Sequence, residues 1–511
     1  MSLVRKHYGF SALSHNLRPF LIGKGFRLTT SVAVLVLLAR FLPQSQYAVY
    51  VSLQALVTLV GSVSSIGIQA VMLRYMPELR AEGNNVVMYR MLSIGMLLRF
   101  GVVLLFMLAG LPFKSWLGET FALDEWLWVV PWYAVVGLMR LTSLSLSQSL
   151  EGLMWQKEAQ YGMAMGSTIR LIGVPVIVML GAVNLWTVTL TELVGEGVCL
   201  AMLLHGWRAR RSADEHRDEG DISWWATNRP RIMYFGFWSG LLNQTRILYG
   251  SAPNRLIAAH FLSTADLATL GFADGLTNLA RRLMPTTLLL SMIRPIFMAH
   301  YSSKQDFGQL VRLTNLVYRL NLSLLALPIV LLLVDGQPLF NWMTAGKYGY
   351  AAPILAGFLG LMVVEGMRSV LELLVQAVEK NHILLTNLVQ SASLFVAIPL
   401  FDRLGLWALV ISNVLGTGIA NVMITYFLRR TGYAFRLDLG LTLLVVLYAV
   451  LAGSVGLLVV RQFNSYILSI CAIVVVFGLC MAWKLPLHDD EKAKLKALLL
   501  NQFKGRKKLP A

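Results

Sequence analysis

The sequence predicts an all-α polytopic membrane protein of about fourteen transmembrane helices, arranged as two parallel six-helix repeats followed by two extra C-terminal helices. Three observations lead there. Of the 511 residues, 57% are hydrophobic and only 14% charged, against roughly 25% charged in an ordinary soluble domain. Apolar runs close to the ~20 residues that cross a bilayer recur from end to end. Pieces of the first six runs also return, in chain order, in the next six.

Taken in order, the runs fall at 18–41, 46–69, 91–112, 126–149, 161–181, 184–206, 233–257 and 266–292. They continue at 311–334, 351–374, 382–400, 405–428, 439–460 and 464–483, the first and eighth being the most polar. The net charge of +18 is distributed so as to set topology and not to bind nucleic acid. With the N-terminus in the cytoplasm, most loop Lys and Arg lie inside, and only Lys114, Lys347, Arg403 and Arg461 lie outside. The strongest anchors are Arg208, Arg210, Arg211, Arg217, Arg229 and Arg231, and the tail from Lys484 to Lys508. An even span count then places both termini in the cytoplasm. The first seventeen residues lack the apolar core and cleavage site of a secretory signal.

The duplication is read from residue matches. Ala39-Arg40-Phe41-Leu42 returns as Ala259-His260-Phe261-Leu262, and at the same spacing Ala48, Leu56, Leu59 and Arg74 meet Ala268, Leu276, Leu279 and Arg294. Met139-Arg140 returns as Met367-Arg368, with Leu146, Gln148 and Glu151 meeting Leu374, Gln376 and Glu379. Leu185-Trp186 and Gly195 match Leu406-Trp407 and Gly416. Six spans per half bring the second half in on the same side as the first, so the repeats are parallel and cargo belongs between them. The expected domains are an N-terminal lobe at 1–206, a basic cytoplasmic linker at 207–232, a C-terminal lobe at 233–430, two added helices at 431–484 and a basic tail at 485–511. The added helices carry no interior charge and read as a lipid-facing appendage.

Ten basic residues lie inside the apolar runs: Lys24, Arg27, Arg99, Arg140, Arg170, Arg246, Arg281, Arg282, Arg319 and Arg368. Each costs at least about 2.5–3.5 kcal/mol near the membrane centre, so each needs water, a partner or a substrate. Only Glu192, Glu196, Asp274, Glu365 and Glu372 share those runs, which leaves a positive remainder. The pattern implies an internal cationic cavity for an anionic cargo. Guanidinium suits phosphate, because its planar fork makes bidentate charge-assisted hydrogen bonds. The candidate substrate-binding residues are Lys24, Arg27, Arg99, Arg140, Arg170, Arg246, Arg281, Arg319 and Arg368. Arg140 has no acidic neighbour along its own run, whereas Arg368 is flanked by Glu365 and Glu372. Arg40, Arg255 and Arg294 sit near run ends and read as interface residues. Glu192, Glu196, Asp274 and Glu365 are candidates for proton or Na⁺ coupling, or for counter-ions that keep the arginines from repelling one another.

Other chemistries are disfavoured. Cys199, Cys471 and Cys480 all fall within runs and suggest no disulfide, and no metal-ligand spacing such as HExxH occurs. The outer loops are too short for a polymerase, ligase or glycosyltransferase domain, and there is no GxxxxGK[ST] phosphate loop. No catalytic residue and no cofactor is expected.

The segments Leu35-Val36, Ala39-Arg40-Phe41-Leu42, Tyr47-Ala48-Val49-Tyr50, Gly67 and Arg74-Tyr75-Met76-Pro77 form a recognisable pattern, as do Asn254-Arg255-Leu256-Ile257 and Leu270-Gly271-Phe272-Ala273. The pattern resembles the Wzx-type polysaccharide flippases of the multidrug/oligosaccharidyl-lipid/polysaccharide exporter superfamily. The resemblance implies MATE-like lobes in a bacterial inner membrane and alternating access. Its cargo would be a lipid-linked oligosaccharide on undecaprenyl diphosphate for exopolysaccharide or O-antigen synthesis. Polymerase or co-polymerase proteins are the implied partners, besides membrane lipids. Alternatives within the same reading are a peptidoglycan lipid-precursor flippase, a multidrug extruder and a polysaccharide secretion subunit. Many relatives carry an acidic residue where this chain has Asn254.

Overall fold

The computed structural model describes residues 10–120, 123–214, 223–244, 247, 249–284, 307–378 and 380–486. Among them are helices, short 3-10 segments and turns, and no strand. Among the described residues, eleven helical segments are long and apolar enough to cross a membrane. The chain is therefore an all-α, multi-spanning membrane protein. A helix suits that setting because it satisfies its backbone N–H and C=O groups within one segment, where lipid offers no water to do so.

The first half runs α1 (Phe10–Phe41), α2 (Gln44–Val63), α3 (Ile68–Glu82), α4 (Asn85–Gly110), α5 (Lys114–Thr120), α6 (Val130–Gly152), α7 (Gln156–Met179) and α8 (Leu185–Asp214). The second runs α9 (Ser223–Gln244), α10 (Ser251–Phe261), α11 (Thr264–Leu283), α12 (Phe307–Val334), α13 (Gly336–Thr344) and α14 (Ala351–Ala377). It continues with α15 (Asn387–Ala397), α16 (Phe401–Leu404), α17 (Trp407–Arg430), α18 (Leu439–Phe463) and α19 (Tyr466–Trp483). The break between α1 and α2 recurs between α10 and α11 at the spacing of the sequence repeat, Phe41 and Gln44 corresponding to Phe261 and Thr264.

Three of the apolar runs fall outside the eleven, for a chemical reason. The run at 126–149 becomes α6, which carries Arg140 and a buried row of Ser143, Ser145, Ser147 and Ser149. The run at 266–292 lies partly outside the described residues, and its described part forms α11, with Asp266, Asp274, Arg281 and Arg282. The run at 233–257 is expected to be continuous, and the structure corrects this: α9 stops at Gln244 and α10 starts after Gly250, whose φ is 126°. Polar Asn243 and Gln244 and the permissive Gly250 allow the interruption. Gln244 uses the break by donating to the Val63 carbonyl at 3.0 Å, satisfying a free acceptor at the end of α2. The short helices α3, α5 and α13 lie in what the sequence reads as loops.

The contacts separate two compact units. The first holds the chain up to Leu279 together with Asn341–Tyr348 and Asn387–Ser412. Within it α7 packs on α8 and α1, α6 on α8, α9 on α3 and α10 on α2. Its core gathers Met72, Met76, Leu79, Met88, Leu92, Leu146, Leu150 and Leu203. The second unit comprises Ala280–Phe340, Gly349–Thr386 and the chain from Asn413 onward. There α12 packs on α14 and on the α18–α19 pair, around Leu322, Val330, Val445, Tyr448 and Ile473. Leu443, Leu447, Val450, Leu458, Ile467 and Leu479 of that pair are all more than half exposed, as a lipid-facing surface requires. The pair is fastened from α12 by Asp335, which accepts from Ser469 at 2.8 Å. Burial raises the Asp335 pKa above the usual carboxylate value.

One close approach depends on glycine. Gly67, at the start of α3, has φ 74°, and a Cβ there would collide with the Gly236 carbonyl of α9. Gly236 and Gly240 stand four apart, which leaves the groove that lets two backbones meet. Gly67→Ala is expected to cost about 1–2 kcal/mol from the left-handed backbone alone, with a further loss as α9 is pushed away. The unfolding midpoint of the purified protein in detergent checks this; an unchanged midpoint would show that the contact does not hold.

Candidate functional site

Among the described residues of the first unit, α6, α7, α8 and α2 build a buried cluster of charge. Glu192 and Glu196 lie one turn apart on α8, so both carboxylates leave the same helix face. Arg140 of α6 reaches both: Nε donates to Glu196 Oε1 at 2.9 Å, and Nη2 stands 3.1 Å from Glu192 Oε2. Arg170 of α7 donates to Glu196 at 3.0 Å. Tyr50 of α2 donates its hydroxyl to Glu192 Oε1 at 2.6 Å, and Tyr133 packs edge-on against Tyr50. Two guanidiniums thus face two carboxylates that are about 95% buried, giving a locally neutral cluster at membrane depth. Gly166 makes it possible by letting α7 approach α8, since its missing side chain leaves room for the Gly195 carbonyl and Cys199.

Arg140 has no acidic partner on its own helix, in line with its run. Its counter-charges lie on α8, more than fifty positions along the chain, where no helical spacing reveals them. Arg255, read from its place near a run end as an interface residue, is 7% exposed and bonded to Asp274 Oδ2 at 2.6 Å. Asn278 stands 3.4 Å from the same oxygen, and Arg255 Nη1 reaches Gln54 of α2 at 3.4 Å. Asp274, a candidate for ion coupling, is paired with Arg255 in this conformation.

In the second unit the arginines are also matched. Arg281 pairs with Glu365 at 2.9 Å. Arg368 pairs with Glu372 at 3.3 Å and donates to Thr386 at 3.2 Å. Arg319, 1% exposed, stands 3.4 Å from Asp438, which also caps α18. Arg99 differs from all of these. Its Nη2 donates to the Gly61 carbonyl at 2.8 Å, while its buried Nε and Nη1 meet no acceptor among the described residues. Lys24 is exposed and Arg27 half-buried, both on α1. Arg246, Arg294 and the basic tail beyond Pro486 lie outside the described residues.

A seam in the first unit joins the α1–α2 corner to second-half elements. Lys347 donates to the carbonyls of Arg40 at 2.7 Å and Leu42 at 3.0 Å, capping the C-terminal end of α1. Burial lowers the Lys347 pKa below the usual ammonium value. Arg40, which is exposed, reaches the Trp342 carbonyl at 3.4 Å. The Tyr47 ring lies 5.6 Å from Tyr348, which stacks on Phe272 at 5.5 Å. Gly271 lets Val51 close against α11. The sequence reading missed Tyr50, Gln54 and Lys347; the one available signal was a run of polar residues on a single face of α2.

Among the described residues no group of three or more His, Cys, Asp or Glu is placed to hold a metal, and all three cysteines are free. No family model matches the sequence, and no curated protein matches it. The fold does match solved structures. The lipid II flippase MurJ in an inward closed conformation aligns with TM-score 0.61 at 13% identity, over 91% of this chain and 98% of that one. An inward-facing multidrug resistance MATE transporter of the MOP superfamily aligns with TM-score 0.55 at 15% identity, over 81% and 97%. A MOP superfamily transporter from Pyrococcus furiosus, described by a binding pocket of reversed polarity, aligns with TM-score 0.53 at 14% identity, over 82% and 95%. The chain has the fold of these proteins.

Proposed function

We propose that this multi-pass membrane protein is a transporter, not an enzyme, that turns a polyprenyl-diphosphate-linked saccharide from the cytoplasmic to the outer leaflet by alternating access. The observation that carries the reading is the set of arginines held at membrane depth, above all Arg140, Arg170 and Arg99, within a fold shared with a lipid II flippase. Likeness to that flippase favours a peptidoglycan lipid precursor as cargo. The residue pattern around Ala39-Arg40-Phe41-Leu42 supports an exopolysaccharide or O-antigen unit as the second reading, with its polymerase or co-polymerase partners. In both, 1–206 and 233–430 act as the two repeats, and both termini lie in the cytoplasm of a bacterial inner membrane.

The paired state of the arginines shapes the mechanism. A diphosphate brings two or more negative charges and several acceptor oxygens, so it can replace Glu192 and Glu196 at the guanidinium forks of Arg140 and Arg170. The carboxylates keep the arginines charged and oriented until cargo arrives, and Glu192, Glu196, Asp274 and Glu365 serve as counter-ions before any role in ion coupling. A cationic drug would find Glu192 and Glu196 already held by Arg140 and Arg170, which argues against a multidrug extruder.

The test is reconstitution into liposomes loaded with lipid II or with an undecaprenyl-diphosphate oligosaccharide. The readout is sugar newly exposed to a membrane-impermeant modifying enzyme. Accelerated exposure of a diphosphate-linked sugar, and none for a sugar on uncharged polyprenol, is the expected result. Efflux of cationic dyes without lipid flipping would overturn the proposal, and the faster of the two lipids decides between its readings.

A further inference from the structure

Helix α2 touches both buried charge clusters of the first unit with one face. Tyr47, Tyr50 and Gln54 follow at i, i+3 and i+7, which places them along a single stripe. Tyr50 holds Glu192 of the α6–α8 cluster at 2.6 Å. One turn further, Gln54 accepts from Arg255 of the α10–α11 cluster at 3.4 Å. One turn back, Tyr47 packs on Tyr348 of the seam. Tyr50 is 4% exposed and Glu192 4% exposed, so their bond has no water as a ready substitute.

We propose that Tyr50 is a positioning residue that transmits the occupancy of Arg140 to the α2 contact with α10 and α11. The inference rests on the reading that an anionic head group takes Arg140. Without cargo, one Glu192 oxygen faces the Arg140 guanidinium and the other accepts from the Tyr50 hydroxyl. When a diphosphate takes Arg140, Glu192 keeps its charge and loses its cation. An uncompensated buried carboxylate is costly enough that it must reach water or gather further donors. The charge-assisted bond from Tyr50 stays with it, so its displacement pulls on α2. The same helix then draws Gln54 from Arg255 and Tyr47 from Tyr348, and the contact loosens. Cargo binding at one cluster and opening at the other become a single event.

The experiment uses the full chain in liposomes, with native cysteines replaced and spin labels at exposed Ser45 and Thr264, the first turns of α2 and α11. Polyprenyl diphosphate is the probe, and uncharged polyprenol the control. In the parent, polyprenyl diphosphate is expected to shift the label separation to a longer population, and polyprenol to leave it unchanged. Tyr50→Phe is expected to bind the probe within about threefold of the parent and to lose the distance shift at equal occupancy. Glu192→Gln, which removes the charge that drives the displacement, is expected to bind at least as tightly and also to lose the shift. An intact shift in both variants at equal occupancy overturns the inference while leaving the proposed function standing. Failure of the parent to bind the probe overturns the proposed function itself. A Tyr50→Phe protein that unfolds leaves Glu192→Gln to decide.

Discussion

Arg140→Ala is expected to abolish flipping of the diphosphate-linked cargo and to destabilise the protein at the same time. Removing one partner from a buried ion pair typically costs about 3–5 kcal/mol, because the other charge is left in low dielectric. Here the loss falls at the lower end of that range, since Glu196 retains Arg170 and Glu192 retains Tyr50. Arg140→Lys separates the two effects. Its ammonium restores a positive charge but not the fork that reaches Glu192 and Glu196 through different nitrogens. Stability should largely return, while flipping remains at least tenfold below the parent. Unfolding midpoints in detergent and flipping rates in liposomes provide the two readouts. Flipping at the parental rate by both variants would remove Arg140 from the cargo path.

The second large effect concerns Arg255 and Asp274. Arg255→Ala and Asp274→Ala should each destabilise by about 3–5 kcal/mol, for each leaves the opposite charge buried. The double replacement Arg255→Met, Asp274→Leu should recover most of that loss, since well-packed apolar residues commonly replace a buried pair at little net cost. Gln54 and Asn278 lose a partner in the double variant, which limits the recovery. The same protein addresses ion coupling. If Asp274 is a counter-ion, flipping by the double variant keeps its dependence on an imposed proton or Na⁺ gradient. Loss of that dependence with stability restored would make Asp274 the coupling site.

Much of the fold was legible because transmembrane helices obey one-dimensional rules. The apolar runs at 311–334, 351–374, 405–428, 439–460 and 464–483 end within a few residues of α12, α14, α17, α18 and α19. Arg140 and Arg368 could be picked out for the same reason, as charges in otherwise apolar runs. The break in the run at 233–257 was less visible. Asn243, Gln244 and Gly250 permit an interruption, but the Val63 carbonyl that rewards it belongs to another helix. Buried polar partners posed the same difficulty at larger scale. Glu372 was readable beside Arg368, one turn away on the same face, whereas Glu192 and Glu196 were not readable beside Arg140.

From its sequence alone this protein reads as helical, membrane-spanning many times over and duplicated, and it holds more arginine in its spans than its spans hold acid. Those properties follow from hydrocarbon thickness, from insertion cost and from residue matches, all of which act along the chain. Which carboxylate meets which guanidinium, where α9 gives way to α10, and how α2 comes to touch two charge clusters were decided only by tertiary packing. An ion pair between helices depends on distances of about 3 Å between side chains, and sequence separation carries no information about such distances.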